Sequence, residues 1–123
     1  MTTSSPVLRA CALVLLCLAL YLPGQVALPP FDRDEARFAQ ASHQMIESGN
    51  YVDIRFQEEV RYKKPVGIYW LQVVSAKLTG AADQIWAYRV PSWLGATIAV
   101  LLTSVLIGGL FTPQTGLLAA LLL

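Results

Sequence analysis

The sequence predicts a mainly α, integral membrane fold, with transmembrane helices and an extracytoplasmic loop of interfacial amphipathic helices and a short strand or hairpin. Three observations predict it. The chain is 55% hydrophobic and 14% charged, too apolar for an ordinary soluble domain of its size. Two stretches, 10–28 and 93–111, contain no charge at all, and a third apolar run begins at 116. The charge is also segregated: apart from Arg9, the other sixteen charged residues all lie between Asp32 and Arg89.

Residues 10–28, "ACALVLLCLALYLPGQVAL", form the first predicted span. At 1.5 Å per residue, about 20 residues cross a hydrocarbon layer of roughly 30 Å. Pro23-Gly24 is expected to break its last turn. A cleaved signal peptide is the rival, with Arg9 as n-region and 10–22 as h-region. Its cleavage site is poor, because Gln25 stands where a small residue is wanted. Cys11 and Cys17 lie six apart, on different sides of one helix, and so do not pair; they read as small apolar span residues.

The loop, 30–92, opens with "FDRDEARFAQ" (31–40). Asp32 is a suitable N-cap, and Glu35 falls three residues later, as in a capping box. The pattern predicts a helix over 33–48, stopped by Gly49. Phe38, Ala41 and Met45 share one face with Asp34 at helical spacing. "YVDIRFQ" (51–57) alternates, placing Val52, Ile54 and Phe56 on one side of a short strand, with a turn at Glu58-Glu59 before "VRY". Pro65 opens a second helix, 65–79, closed by Gly80. It is apolar and about 22 Å long, which suits a position in the membrane interface rather than across it. Asp83 is placed to cap a third helix, running through Tyr88 and Arg89 into the second span, 93–111. "TPQTG" then turns the chain into the third apolar run, 116–123. The sequence stops inside that run, so the chain reads as the N-terminal piece of a longer polytopic protein. The positive-inside rule puts Arg9 in the cytoplasm and the loop outside. The loop holds eight of the nine Lys and Arg residues, but the rule weakens for loops of about 60 residues.

A net charge of +1 with no basic run gives no sign of nucleic-acid binding. Asp32 and Glu35 are accounted for by starting a helix, and Asp34 by the helix dipole. The same carboxylates at the mouth of a span are also where a general base would meet a lipid-linked substrate. "RYKKP" (61–65) sets Arg61, Lys63 and Lys64 together. It reads either as a solvated turn paired with Glu58 and Glu59, or as a phosphate site at the start of a helix. His43 is the only histidine and has no ligand partners in sequence, so a metal site there is not expected. Ser42 beside it does not face it on a helix. The tryptophans and tyrosines suit membrane anchoring, with sugar or lipid stacking as the alternative.

A first span, then "PFDRDEARFA", a helix ending "MIESGNY", a short strand, "KKPVGIYWL", and "YRVPS" before the second span resembles the membrane glycosyltransferases of the GT-C fold. These include the protein O-mannosyltransferases and the lipid A aminoarabinose transferases. The likeness covers about residues 10–110. It implies transfer of a sugar from a polyprenyl-phosphate donor to a lipid, glycan or protein acceptor at the outer face of the membrane, with inversion. Asp34 and Glu35 match the Asp-Glu pair opening the first extracytoplasmic loop, and the resemblance makes Asp34 the catalytic carboxylate. Lys64 matches the lysine that contacts the donor phosphate. Arg37 and Tyr62 match positions near that pocket, and Tyr69-Trp70 match the aromatic pair on the second interfacial helix. Arg61 or Lys63 would assist Lys64 in neutralising the leaving phosphate. In the aminoarabinose branch a glutamate precedes the Lys-Pro pair and helps bind a metal; here that residue is Lys63. No cofactor is called for by the residues, and a divalent metal is left open only by the resemblance. The implied location is the bacterial inner membrane, with several passes. The rival reading is a non-catalytic membrane-anchored module with 30–92 as a partner-binding loop.

Overall fold

The structure, a computed structural model, describes residues 5–62 and 64–123. In chain order its elements are α1 (Pro6–Ala27), α2 (Arg33–Ser48), β1 (Arg55–Phe56), β2 (Glu59–Val60), α3 (Val66–Thr79), α4 (Ile85–Leu110) and α5 (Pro113–Leu122). The chain divides into a unit of residues 1–24 with 92–123, and a unit of residues 25–91.

Two helices, α1 and α4, are long and apolar enough to cross a membrane. Only 11% of the most apolar window of each is buried. Their apolar surface therefore faces outward, as lipid-facing helices require and core helices of soluble proteins do not. The break expected at Pro23 does not occur: α1 runs through it, and α4 runs through Pro91. A proline removes one ladder bond, and a long apolar helix tolerates that loss. In the first unit Leu13, Cys17, Val100 and Ala120 form the buried cluster. Cys11 is exposed and Cys17 buried, so the two cysteines do lie on different sides. α4 and α5 approach backbone to backbone, since a Cβ on Gly116 would lie 2.3 Å from Ser104 O and 2.6 Å from Gly108 Cα. "TPQTG" is more than a turn. Thr112 caps α5, its hydroxyl accepting from Thr115 N–H at 3.2 Å, and Pro113 opens the helix.

In the unit of residues 25–91, α2 and α3 end where expected. Gly49 (φ 69°) and Gly80 (φ 64°) adopt the left-handed conformation and donate their N–H groups back into the helices they close. Ala41, Met45, Ile54, Tyr69 and Val73 form the core between α2, the hairpin and α3, with Phe38 packed on it. A buried polar ladder runs alongside. Ser42 Oγ donates to Gln72 Oε1 (2.7 Å), Gln72 Nε2 to Tyr88 O (3.1 Å), and Ser75 Oγ to Ala87 O (2.6 Å). On α3, Trp70, Leu71, Val74 and Leu78 remain exposed, an apolar stripe suited to a helix lying in an interface.

Three further expectations need correction. The strand over 51–57 shrinks to Arg55–Phe56, paired antiparallel with Glu59–Val60, and the turn is Gln57-Glu58 rather than Glu58-Glu59. The cause is Asn50, whose side-chain oxygen accepts from Val52 N–H and Asp53 N–H at 3.1 Å each and bends the chain there. Val52 is thus 80% exposed while Ile54 is 3% exposed. Asp32 has extended N-cap backbone but makes no side-chain cap. Glu35 does reach back across the helix start, but to the residue before the N-cap: its Oε2 accepts from Phe31 N–H (3.0 Å). Asp83 does not cap α4. It lies in the turn closed by Gln84 N–H to Ala81 O (2.9 Å), and the helix begins after Gln84.

Candidate functional site

The first turn of α2 places Asp34 about half exposed, with Arg37 one turn later on the same face. The chain leaving β2 brings Arg61 to the same carboxylate. Asp34 Oδ1 lies 3.7 Å from Arg37 Nη1 and 3.7 Å from Arg61 Nη2. Both pairs use Oδ1, and Oδ2 makes no hydrogen bond to a described residue.

The two arginines differ in how firmly they are held. The Arg61 side chain is 12% exposed, donates from Nε to Tyr69 OH (3.3 Å) and lies 5.8 Å from the centroid of the Phe38 ring. Tyr69 is fully buried and stacks tilted on Phe38, so α3 and α2 together hold that guanidinium in place. The Arg37 side chain is 37% exposed, in an (i, i+3) pair of the kind worth about 0.2–0.5 kcal/mol. Such a pair is readily exchanged for a better anion. Arg61 is a fixed wall of the site, and Arg37 is its adjustable cation.

Glu35 points to different partners. Its Oε1 is ion-paired with Arg89 Nε, and Oε2 takes the Phe31 N–H. The hydrogen bond from Arg89 holds the Glu35 carboxyl below the usual glutamate range; partial burial opposes this, and the Phe31 and Asp32 N–H groups reinforce it. Both oxygens are thus engaged within the fold. Tyr62 is turned to another cluster. Its hydroxyl donates to Asp53 Oδ1 (2.6 Å), while Arg55 Nε donates to Oδ2 (2.7 Å). That pairing pushes the Tyr62 phenol up and the Asp53 carboxyl down. Lys64 is exposed at the bend before α3 and makes no ion pair with a described residue. Pro65, the N-cap, supplies no side-chain cap to α3, and a Cβ on Gly67 would meet nothing within 4 Å, so the start of α3 is open. Lys63 lies outside the described residues.

Of the residues singled out by sequence, the structure brings Asp34, Arg37, Arg61 and Tyr69 together. It places Glu35 beside them in a separate pair and turns Tyr62 away. Sequence reasoning did not find the ring of Phe38 as a seat for Arg61, or Arg89 as the partner of Glu35. Among the described residues no three His, Cys, Asp or Glu side chains converge. The surroundings of Asp34 do not fit a divalent cation, since its neighbours are guanidiniums, which donate and repel where a metal needs oxygen ligands.

No protein-family profile and no solved structure matches the chain. Curated relatives do. The chain is 31% identical over 90 residues to the undecaprenyl phosphate-alpha-4-amino-4-deoxy-L-arabinose arabinosyl transferase of Pseudomonas savastanoi pv. phaseolicola. It is 32% identical over 90 residues to the enzymes of that name from Pseudomonas fluorescens (strain Pf0-1) and Pseudomonas aeruginosa. The match covers 72% of this chain but 16% of each of these relatives. A chain with two helices fit to cross a membrane, and with a half-exposed carboxylate between two arginines, is thus similar through most of its length to one part of a group of bacterial arabinosyl transferases.

Proposed function

We propose that the chain is the N-terminal part of a GT-C-type membrane glycosyltransferase. It transfers a sugar from a polyprenyl-phosphate donor to an acceptor hydroxyl at the outer face of the bacterial inner membrane. The spans are 10–28 and 93–111, with a third beginning at 116, and the loop 30–92 is extracytoplasmic. The observation that carries this reading is the half-exposed Asp34 carboxylate, held on one oxygen by Arg61 while the other makes no hydrogen bond to a described residue. The 90-residue similarity to arabinosyl transferases supports the substrate class.

The step is a single displacement. The acceptor O–H gives its proton to Asp34 Oδ2 while its oxygen bonds to the anomeric carbon from the face opposite the donor phosphate. The bond from that carbon to the phosphate oxygen breaks, and its electron pair leaves with the polyprenyl phosphate. The anomeric centre inverts. The departing charge is met by Lys64, at the open start of α3, and by Arg37, which the weak pair with Asp34 releases. Arg61 stays with Asp34. By sequence Lys63, next to Lys64, is a further candidate cation for the phosphate, and the exposed Trp70 on α3 is a surface for sugar or isoprenoid.

The test is sugar transfer from radiolabelled polyprenyl-phosphate donors by full-length protein in membranes, wild type against Asp34→Asn. Removing a general base is expected to lower transfer by about 100-fold or more with folding intact. Unchanged transfer by Asp34→Asn sinks the mechanism.

A further inference from the structure

The stretch "YRVPS" (88–92) has no part in the chemistry above, yet Arg89 is among the most heavily bonded side chains of the loop unit. The side chain is 12% exposed. Its Nη1 donates to Gln25 O (2.8 Å) and Leu28 O (2.7 Å), its Nη2 donates to Pro29 O (3.0 Å), and its Nε pairs with Glu35. The last carbonyls of a helix have no partner within it, and Gln25 lies in the last turn of α1. A cation at that end meets both the open acceptors and the negative pole of the helix.

The segment from Leu28 to Asp32 joins α1 to α2 and has no regular structure. Two of its residues, Pro29 and Pro30, carry no N–H. Its backbone is fastened from two sides. Arg89 takes the carbonyls at 25, 28 and 29, and Glu35 takes the N–H group of Phe31. The two fasteners are tied to each other. One ion pair therefore sets how the chain enters α2, and Asp34 is the residue immediately before Glu35.

We propose that Arg89, acting through Glu35, is a positioning residue for Asp34: it locks the Leu28–Asp32 strap and so fixes where the carboxylate stands at the head of α2. This inference rests on the proposed function, because it needs Asp34 to be the reacting group. Arginine is required for geometric reasons. Its planar fork reaches three carbonyls and a carboxylate at once, while a lysine ammonium has three donors on one atom and cannot span them.

The experiment compares Arg89→Gln, Arg89→Lys and Glu35→Gln with wild type in the full-length protein, with transfer per folded molecule measured across donor concentration. Misplacing a catalytic group by 1 Å costs up to about 100-fold, so Arg89→Gln is expected to lose about that factor in kcat. Donor KM should stay within about 2-fold, because the lost interaction positions a reacting group and does not bind substrate. Arg89→Lys should fall between the two. If Arg89→Gln does not accumulate, Glu35→Gln carries the test in the same direction. The Arg89→Gln, Glu35→Gln double variant should be no worse than the poorer single one, since both remove one lock. Unchanged kcat per folded molecule, or a rise in donor KM with kcat intact, overturns the positioning role. The failures are distinguishable. If Asp34→Asn retains transfer, the proposed function is lost; if Asp34→Asn is inactive while the Arg89 and Glu35 variants keep full kcat, the positioning inference alone is lost.

Discussion

The unit of residues 1–24 and 92–123 and the unit of residues 25–91 are held together by different means. The first has one charged side chain, Arg9, and a buried cluster of four residues, one of them alanine and one cysteine. In it two helices come close backbone to backbone, at Gly108 and Gly116. The second has a core with Met45 and Tyr69 fully buried, and a ladder of buried side-chain hydrogen bonds from Ser42, Gln72 and Ser75. The proposed setting, spans in a bilayer and loop in water, accounts for the contrast. Lipid tails are as apolar as leucine, so helices in a bilayer gain little by hiding apolar surface and instead rely on close approach. In water the same surface is driven inward at about 25 cal/mol per Å², and the polar groups carried with it must then be paired.

The widest separation between the two units should come from truncating one buried side chain in each. Met45→Ala removes a thioether from the water-facing core and is expected to cost about 2–5 kcal/mol, transfer and cavity terms together. Leu13 is equally buried, at 2% exposed, but among the span residues. Its truncation should cost about 1–2 kcal/mol, because the hydrophobic part of the penalty is absent there. Equilibrium unfolding in bicelles measures both. Equal losses would mean that the first unit is also packed by water exclusion.

Adding volume tests the close approach on which the first unit relies. Gly116→Val puts a Cβ within 2.3 Å of a carbonyl oxygen on α4 and should cost about 1–3 kcal/mol as overpacking. Gly109→Val, where a Cβ meets nothing within 4 Å, is the control and should cost well under 1 kcal/mol. The difference, read by the same unfolding measurement, tests whether α4 and α5 meet through glycine. A Gly109 variant as damaging as the Gly116 variant would reject that contact.

What was legible in the sequence follows the same division. Helix ends written locally are as read: Gly49 and Gly80 close α2 and α3 because only a left-handed residue ends those helices cleanly. Charge-free runs of span length are equally plain. Local rules failed where another local group competed. Asn50 took the N–H groups that a strand from Tyr51 would have used, and Pro23 was outvoted by the long apolar helix around it. At the site, Asp34 and Arg37 lie one helical turn apart and their meeting is readable from spacing. The seat of Arg61 on Phe38 and Tyr69 depends on how the hairpin packs against α2 and α3, which no periodicity encodes. Glu35 and Arg89 are 54 residues apart, and nothing near either residue announces the other.

The smallest expected effect belongs to the head of α2. Glu35 has its carboxyl held below the usual range near 4.5 by Arg89, so the folded chain binds that proton less readily than the unfolded chain does. The stabilisation is therefore complete above about pH 4.5 and is lost as the pH falls through the depressed folded value. Asp53, held low by Tyr62 and Arg55, acts with the same sign, so wild type alone cannot assign the loss. Glu35→Gln can. It lacks the ion pair at every pH, and the stability gap between it and wild type should narrow as the medium is acidified toward and below pH 4.5. Residues 1–24 and 92–123 contain no Asp or Glu, so acid has no side-chain carboxylate to protonate there. Single-tryptophan variants separate the two responses, with Trp70 reporting on the loop unit and Trp93 on the span unit. Trp70 fluorescence should show unfolding at lower temperature in acid while Trp93 holds steady. If Trp93 moves with it, acid sensitivity is not local to the lock at the head of α2, and the two units share one transition despite being built by different forces.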